Sequence, residues 1–255
     1  MKSYLLLFAI LFTSLPSRTY SSDASLEVQV SQDDFVFPYL DKSLVDIWLG
    51  SEAAQPELLR KQFTSVQNEW LAAKAVLLNK QVDHVNIPEF ISRVESYLVS
   101  LELCIEQNNY SCIKSIAYHL IYEFRSLRQC MFKTEYSFDL LWEAIDGYLR
   151  VEKTIHDRMF DLKEWFEFED DVNDFICKWE YYDLQHIQSI QKHFPGINKA
   201  EHNELKERVN SCIFTLLKSF ESGFQSDFEL PCDELGQAYK DLLAIYAKSR
   251  MNMLM

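Results

Sequence analysis

Glycine and proline are scarce in this chain, 5 and 6 of 255 residues. Hairpin-rich sandwiches, propellers and glycine-built phosphate loops all depend on those residues, so their scarcity argues against such architectures and leaves long helices joined by short connections. Positive charge is also in short supply: 25 Lys and Arg face 39 Asp and Glu, for a formal charge of −14. No basic stripe interrupts the acidic background, which excludes a nucleic-acid partner, because phosphate binding needs a basic footprint. Long uncharged runs are missing as well. No stretch reaches the roughly eighteen apolar residues of a membrane span, so no transmembrane segment is expected. Apolar and aromatic side chains are plentiful, 48% and 14% of the residues, enough to offset the ordering entropy of a folded chain.

Lys2 precedes an apolar run over residues 5–12, followed by Thr13, Ser14, Leu15, Pro16 and small or polar residues to Ser21. A basic start, a short apolar stretch and a small-residue exit make the pattern of a secretory signal, and the run is too short to cross a bilayer. The expected organisation is a signal peptide at 1–21, an extended arm at 22–39, one helical bundle at 40–250 and a tail at 251–255. The expected location is secreted or periplasmic.

Apolar residues then recur at helical spacing. Helices are expected near 44–49 and over 57–78, 87–107, 112–131, 136–158, 161–192, 198–221 and 232–248. The clearest stripe is Ile113, Ile116, Ala117, Leu120, Ile121, Phe124, Leu127 and Met131, mostly at steps of three and four. Asn198 with Glu201 has capping-box spacing. The fold class is all-α, an antiparallel bundle of about seven helices. Residues 93–99 resemble residues 208–214, 115 positions on. Ala117-Tyr118 has a counterpart in Ala238-Tyr239, and Trp70 in Trp179. Duplication of a three-helix unit, with halves 40–132 and 133–250, accounts for this, and so does the general likeness of amphipathic helices.

All six cysteines, Cys104, Cys112, Cys130, Cys177, Cys212 and Cys232, lie beyond the expected cleavage point, and an even number in an exported chain fits up to three disulfides. Cys112 and Cys130 are eighteen residues apart, five helical turns or about 27 Å, so they cannot pair with each other. Of the fifteen possible pairings the preferred one is sequential: Cys104 with Cys112 across a hairpin, Cys130 with Cys177, and Cys212 with Cys232. Asn109-Tyr110-Ser111 makes Asn109 a glycosylation acceptor in a eukaryotic host.

Chemistry-bearing patterns are weak. Asp183, His186 and His193 form the best metal-like set, since their spacing lets them approach one side of a single helix, yet zinc usually needs three or four converging ligands. His119 with Glu123 and Glu152 with His156 have i,i+4 spacing, which serves acid/base chemistry or simply helix stability. The acids Glu164, Glu167, Glu169, Asp170, Asp171 and Asp174 suit a solvated helix start. No nucleophile elbow, phosphate loop or dinucleotide fingerprint is present, so no catalytic residue is assigned and no cofactor is expected. The leading expectation is an exported, disulfide-stabilised helical binding protein whose partner is a protein or an apolar small molecule. The alternative is a periplasmic or extracellular metal- or haem-binding protein.

The exported product is expected to begin near residue 22. Intact mass and N-terminal sequencing check this, and a folded product retaining residues 1–21 would show the apolar run to be part of the structure.

Overall fold

The computed structural model describes residues 36–79, 85–131, 136–157 and 162–249. The expected signal peptide, the arm as far as residue 35 and the tail at 251–255 lie outside the described residues. Within them the chain forms nine α-helices and no strand, an antiparallel helical bundle. None of these helices is long and apolar enough to cross a membrane.

Proline, where it occurs, mostly starts helices. Pro38 opens α1 (Pro38–Ala53) and Pro56 opens α2 (Pro56–Leu78), while Pro88 is the second residue of α3 (Ile87–Glu106). The first-turn N–H that proline lacks has no intrahelical acceptor anyway. Pro38 and Tyr39, expected in the arm, thus belong to α1. Ala54 and Asn108 take left-handed backbone conformations, φ 51° and 53°, and so end α1 and α3. At Asn108 the N–H of Asn109 reaches back to the Cys104 carbonyl at 2.9 Å, closing a Schellman-type end. The Asn109 side chain then caps α4 (Tyr110–Met131) by accepting from the Cys112 N–H at 3.2 Å.

Two boundaries differ from the sequence expectation. The segment expected to run from 161 to 192 is two helices, α6 (Leu162–Asp183) and α7 (Ile187–His193). Lys206 satisfies the end of α6 from outside the helix: its ammonium sits 2.9 Å from the Asp183 carboxylate and also donates to the Asp183 carbonyl. The last helix, α9 (Ser226–Lys248), begins six residues before the expected Cys232 and contains Pro231. Pro231 cannot donate to the carbonyl of Asp227, and Ser219 Oγ donates to that carbonyl instead at 2.8 Å. Asn198 caps α8 (Lys199–Lys218) as its spacing predicts, accepting from the Ala200 and Glu201 N–H groups.

The helices close into two rings. α1 packs on α2, α2 on α3, α3 on α4 and α4 back on α1. With α5 (Ser137–Ile155), the second ring runs α5, α6, α8, α9 and back to α5. Its α6–α8 side is closed by Trp179 Nε1 donating to Asn210 Oδ1 at 2.6 Å and by Tyr182 bonding to His202. α1 packs against α9 to join the rings. Each ring has four principal helices, not three. The resembling segments occupy matching places: residues 93–99 on α3 and 208–214 on α8, Tyr118 on α4 and Tyr239 on α9, Trp70 on α2 and Trp179 on α6.

A buried ionic cluster spans both rings. Arg128, at the end of α4 and 4% exposed, donates from Nε and Nη2 to Asp139 in the first turn of α5, at 2.8 and 2.5 Å. Its Nη1 and Nη2 lie 3.3–3.4 Å from Asp41 in the first turn of α1. Tyr136 stacks under the guanidinium, 4.9 Å from the ring centroid, and donates to Asp41 at 3.1 Å. One cation faces two carboxylates, so the cluster carries an excess negative charge. Burial pushes the Asp41 carboxyl up to about 6, with Asp139 adding to the rise and Arg128 opposing it.

Because folded Asp41 holds its proton to higher pH than an unfolded aspartate at 3.8, its contribution to stability is fully present below about pH 4. That contribution is lost as the pH rises through about 6. Asp41→Asn is expected to remove this component, on the order of 3 kcal/mol between pH 4 and 7, seen by comparing denaturant unfolding of both forms across that range. Arg128→Met, which strands two buried carboxylates, is expected to cost about 3–5 kcal/mol at pH 7 and less at pH 4.

Candidate functional site

The seam between the rings opens into a groove of about 590 Å³ at the end of the bundle away from Arg128. That volume lies within the roughly 300–1,000 Å³ of small-molecule sites. One wall is α4, which presents Ser111, Lys114, Ser115, Tyr118 and His119; the other is α5, which presents Asp146, Leu149, Arg150 and Lys153. Helical periodicity produces both walls, since residues four and seven or eight apart share a face. Trp48 of α1 forms the floor, 3% exposed and edge-on to Trp142 at 5.6 Å. The disulfide between Cys104 and Cys112 ties α3 to the start of α4 directly beside Ser111, with 6.0 Å between the α-carbons. A smaller groove of about 310 Å³ on the α6 side of α5 also includes Arg150 and Lys153 in its lining.

Charges in the groove are partly committed to other groups. Lys114 pairs with Glu52 at 2.5 Å and lies 4.7 Å from the Trp48 ring centroid. Glu52 also takes Lys240 at 2.7 Å, so two lysines share one carboxylate. Burial acts to raise the Glu52 carboxyl, but the two lysine bonds outweigh it and hold it below its ordinary value. Arg150 turns toward α6, 2.6 Å from Asp174 and 3.5 Å from Asp171, with Asp146 at 3.4 Å. Tyr118 donates to Asp146 Oδ1; burial, helped by that carboxylate, pushes its hydroxyl up to about 12. His119 is exposed and stacks on Tyr97, with ring centroids 5.9 Å apart. Ser111, Ser115 and Lys153 make no hydrogen bond or ion pair among the described residues.

The metal-like set does not converge. Asp183 ends α6 and is held by Lys206, His186 stands exposed ahead of α7, and His193 packs edge-on against Tyr136 at 5.1 Å. Their spacing assumed one continuous helix, and the break at residues 184–186 removes that premise. Among the described residues no group of three or more His, Cys, Asp or Glu could hold a metal ion. The i,i+4 acid–histidine pairs are not made either. Glu123 binds Arg93, Glu152 accepts from Tyr148, and His156 meets Asp233 at 3.2 Å. His202 is a core residue, 1% exposed, bonded to Tyr182 at 2.9 Å; burial, aided by Lys206, lowers it to about 4. From the acidic run, Asp171 and Asp174 serve Arg150, and Asp174 also serves Lys178.

Of the sequential disulfides only Cys104–Cys112 is formed, while Cys130, Cys177, Cys212 and Cys232 are thiols. Cys130 ends α4 while Cys177 sits within α6, which packs on α5 rather than on α4. Cys232 is directed toward α5, its sulfur 3.9 Å from the Tyr148 hydroxyl, and burial pushes its thiol up to about 12. Burial raises the thiol of Cys212, on α8, with Glu234 adding to the rise and Arg208 opposing it. Asn109 is exposed at the hairpin, two residues from Ser111.

Tyr118→Phe is expected to leave Asp146 Oδ1 without its donor and to cost about 1 kcal/mol in denaturant unfolding. Alkaline difference absorbance of the parent should contain a tyrosine titrating near 12 that this variant lacks. No protein-family model matches the chain, and no curated protein and no solved structure shows significant similarity to it.

Proposed function

We propose that this chain is an exported, non-catalytic binding protein that receives its ligand in the seam groove. One observation carries the reading: a groove of about 590 Å³, walled by helices of both rings, holds polar groups that the fold does not use for itself. Junctions between packed units are frequent ligand sites, because two independent surfaces can converge there on one molecule. Export is supported by the signal-like pattern of residues 1–21, and by a hairpin disulfide of the kind that persists in oxidising compartments. The dispersal of Asp183, His186 and His193 gives the metal alternative no support.

A thermal-shift screen of the disulfide-intact chain against a chemically diverse small-molecule set tests this. At least one ligand class is expected to raise the melting temperature by several degrees, the linkage effect of binding the native state alone. Ser115→Trp, placing an indole in the groove from an exposed helical position, is expected to abolish that rise without lowering the unliganded midpoint by more than about 2 °C. Equal responses from this variant and the parent would place the ligand elsewhere.

A further inference from the structure

The bonding within the groove distinguishes ligand classes. Asp146 is its one lining carboxylate, and both oxygens are engaged, Oδ1 by Tyr118 and Oδ2 by Arg150. Neither of its oxygens is without a partner, whereas other polar groups of the lining have none. The unengaged groups are one cation and two hydroxyls: the Lys153 ammonium on α5, which can only donate, and across from it on α4 the Ser111 and Ser115 hydroxyls, one turn apart, which can donate to an anion beside it. Lys114 reinforces this polarity, because the Glu52 carboxylate it uses is shared with Lys240, leaving one net positive charge among the three. Arg150 belongs to the wall, its guanidinium being turned to Asp171 and Asp174. Leu149 and the exposed His119 ring give an apolar or aromatic body something to lie against.

Resting on the reading of the seam groove as a ligand site, we propose that its ligand is a small anion: an oxyanion group held by Lys153, Ser111 and Ser115, on a compact apolar or ring body. A purely apolar ligand would leave these exposed groups to water and gain nothing from them. An oxyanion satisfies them with charge-assisted bonds, the stronger kind.

Amide NMR titration of the disulfide-intact chain with phenyl phosphate, benzoate, phenol and benzylamine tests this. Phenyl phosphate or benzoate is expected to move the signals of Ser111, Ser115 and Lys153 with a Kd about tenfold or more below those of phenol and benzylamine. The two anions separate a phosphate-bearing from a carboxylate-bearing ligand. Lys153→Glu, at an exposed position, is expected to weaken the anion about tenfold or more while leaving the circular dichroism unchanged. Binding of phenol or benzylamine as tight as that of the anions, or anion binding that survives Lys153→Glu, overturns the anion assignment and leaves the groove reading standing. If none of the four moves those signals, the anion assignment falls. If the broad thermal-shift screen is also blank, the groove reading falls with it.

Discussion

Arg128 holds three helix ends in one buried knot: the end of α4 and the first turns of α1 and α5. A guanidinium out of water tolerates little freedom, because each unpaired donor or carboxylate would carry a large desolvation cost. Its fork therefore constrains how α5 sits against α1 and α4, which is to say how the second ring meets the first. Ser115 lies thirteen residues before Arg128 on α4, about 20 Å along the helix axis. The groove walls at that distance are the far arms of an angle set at the knot. The cluster's excess negative charge marks it as a device for orientation more than for stability, since a well-packed apolar substitute of similar volume is often no less stable.

The two rings solve their interiors differently. The first is filled around a phenylalanine: Phe124 meets Trp70, Phe90 and Phe37 edge-on at 5.4–6.1 Å. The second buries tyrosines, and most of those hydroxyls are given partners. Tyr182 bonds to both His202 and Tyr246, and Tyr148 bonds to Glu152 and to the Cys232 carbonyl. The hairpins differ in the same way. Cys104 in the first is covalently joined to Cys112, whereas Ser219, 115 positions after Cys104, makes a hydrogen bond across the second hairpin to Asp227. Matching places in the two rings thus use different bonds for the same task of tying one helix to the next.

Much of the helix pattern was legible locally. The stripe from Ile113 to Leu127 and the Asn198 cap depend only on residues within a few turns, and both appear where the spacing puts them. The Cys104–Cys112 hairpin was legible for the same reason, a tight turn bringing neighbours together. Pro231 misled because proline is a local stop signal, while the group that compensates for it, Ser219, comes from the turn that follows α8. Asp183, His186 and His193 misled because α6 stops at Asp183, where the group that satisfies its end, Lys206, comes from another helix. For the groove, His119 was readable on this helix through its i,i+4 spacing with Glu123, but nothing in the spacing singled out Ser111 and Ser115 or linked them to Asp146 and Lys153.

The sequence alone determined an all-α chain, where most helices begin and end, and which faces turn inward, because propensity, capping and apolar period act over a few residues. Tertiary structure decided what those faces meet. Whether Asp41 shares Arg128 with Asp139, whether a thiol finds another thiol or a tyrosine, and whether a serine flank becomes half of a groove all depend on residues far apart in the chain. Such pairings follow from the mutual placement of packed helices, and the periodicity of one helix carries no information about the orientation of another.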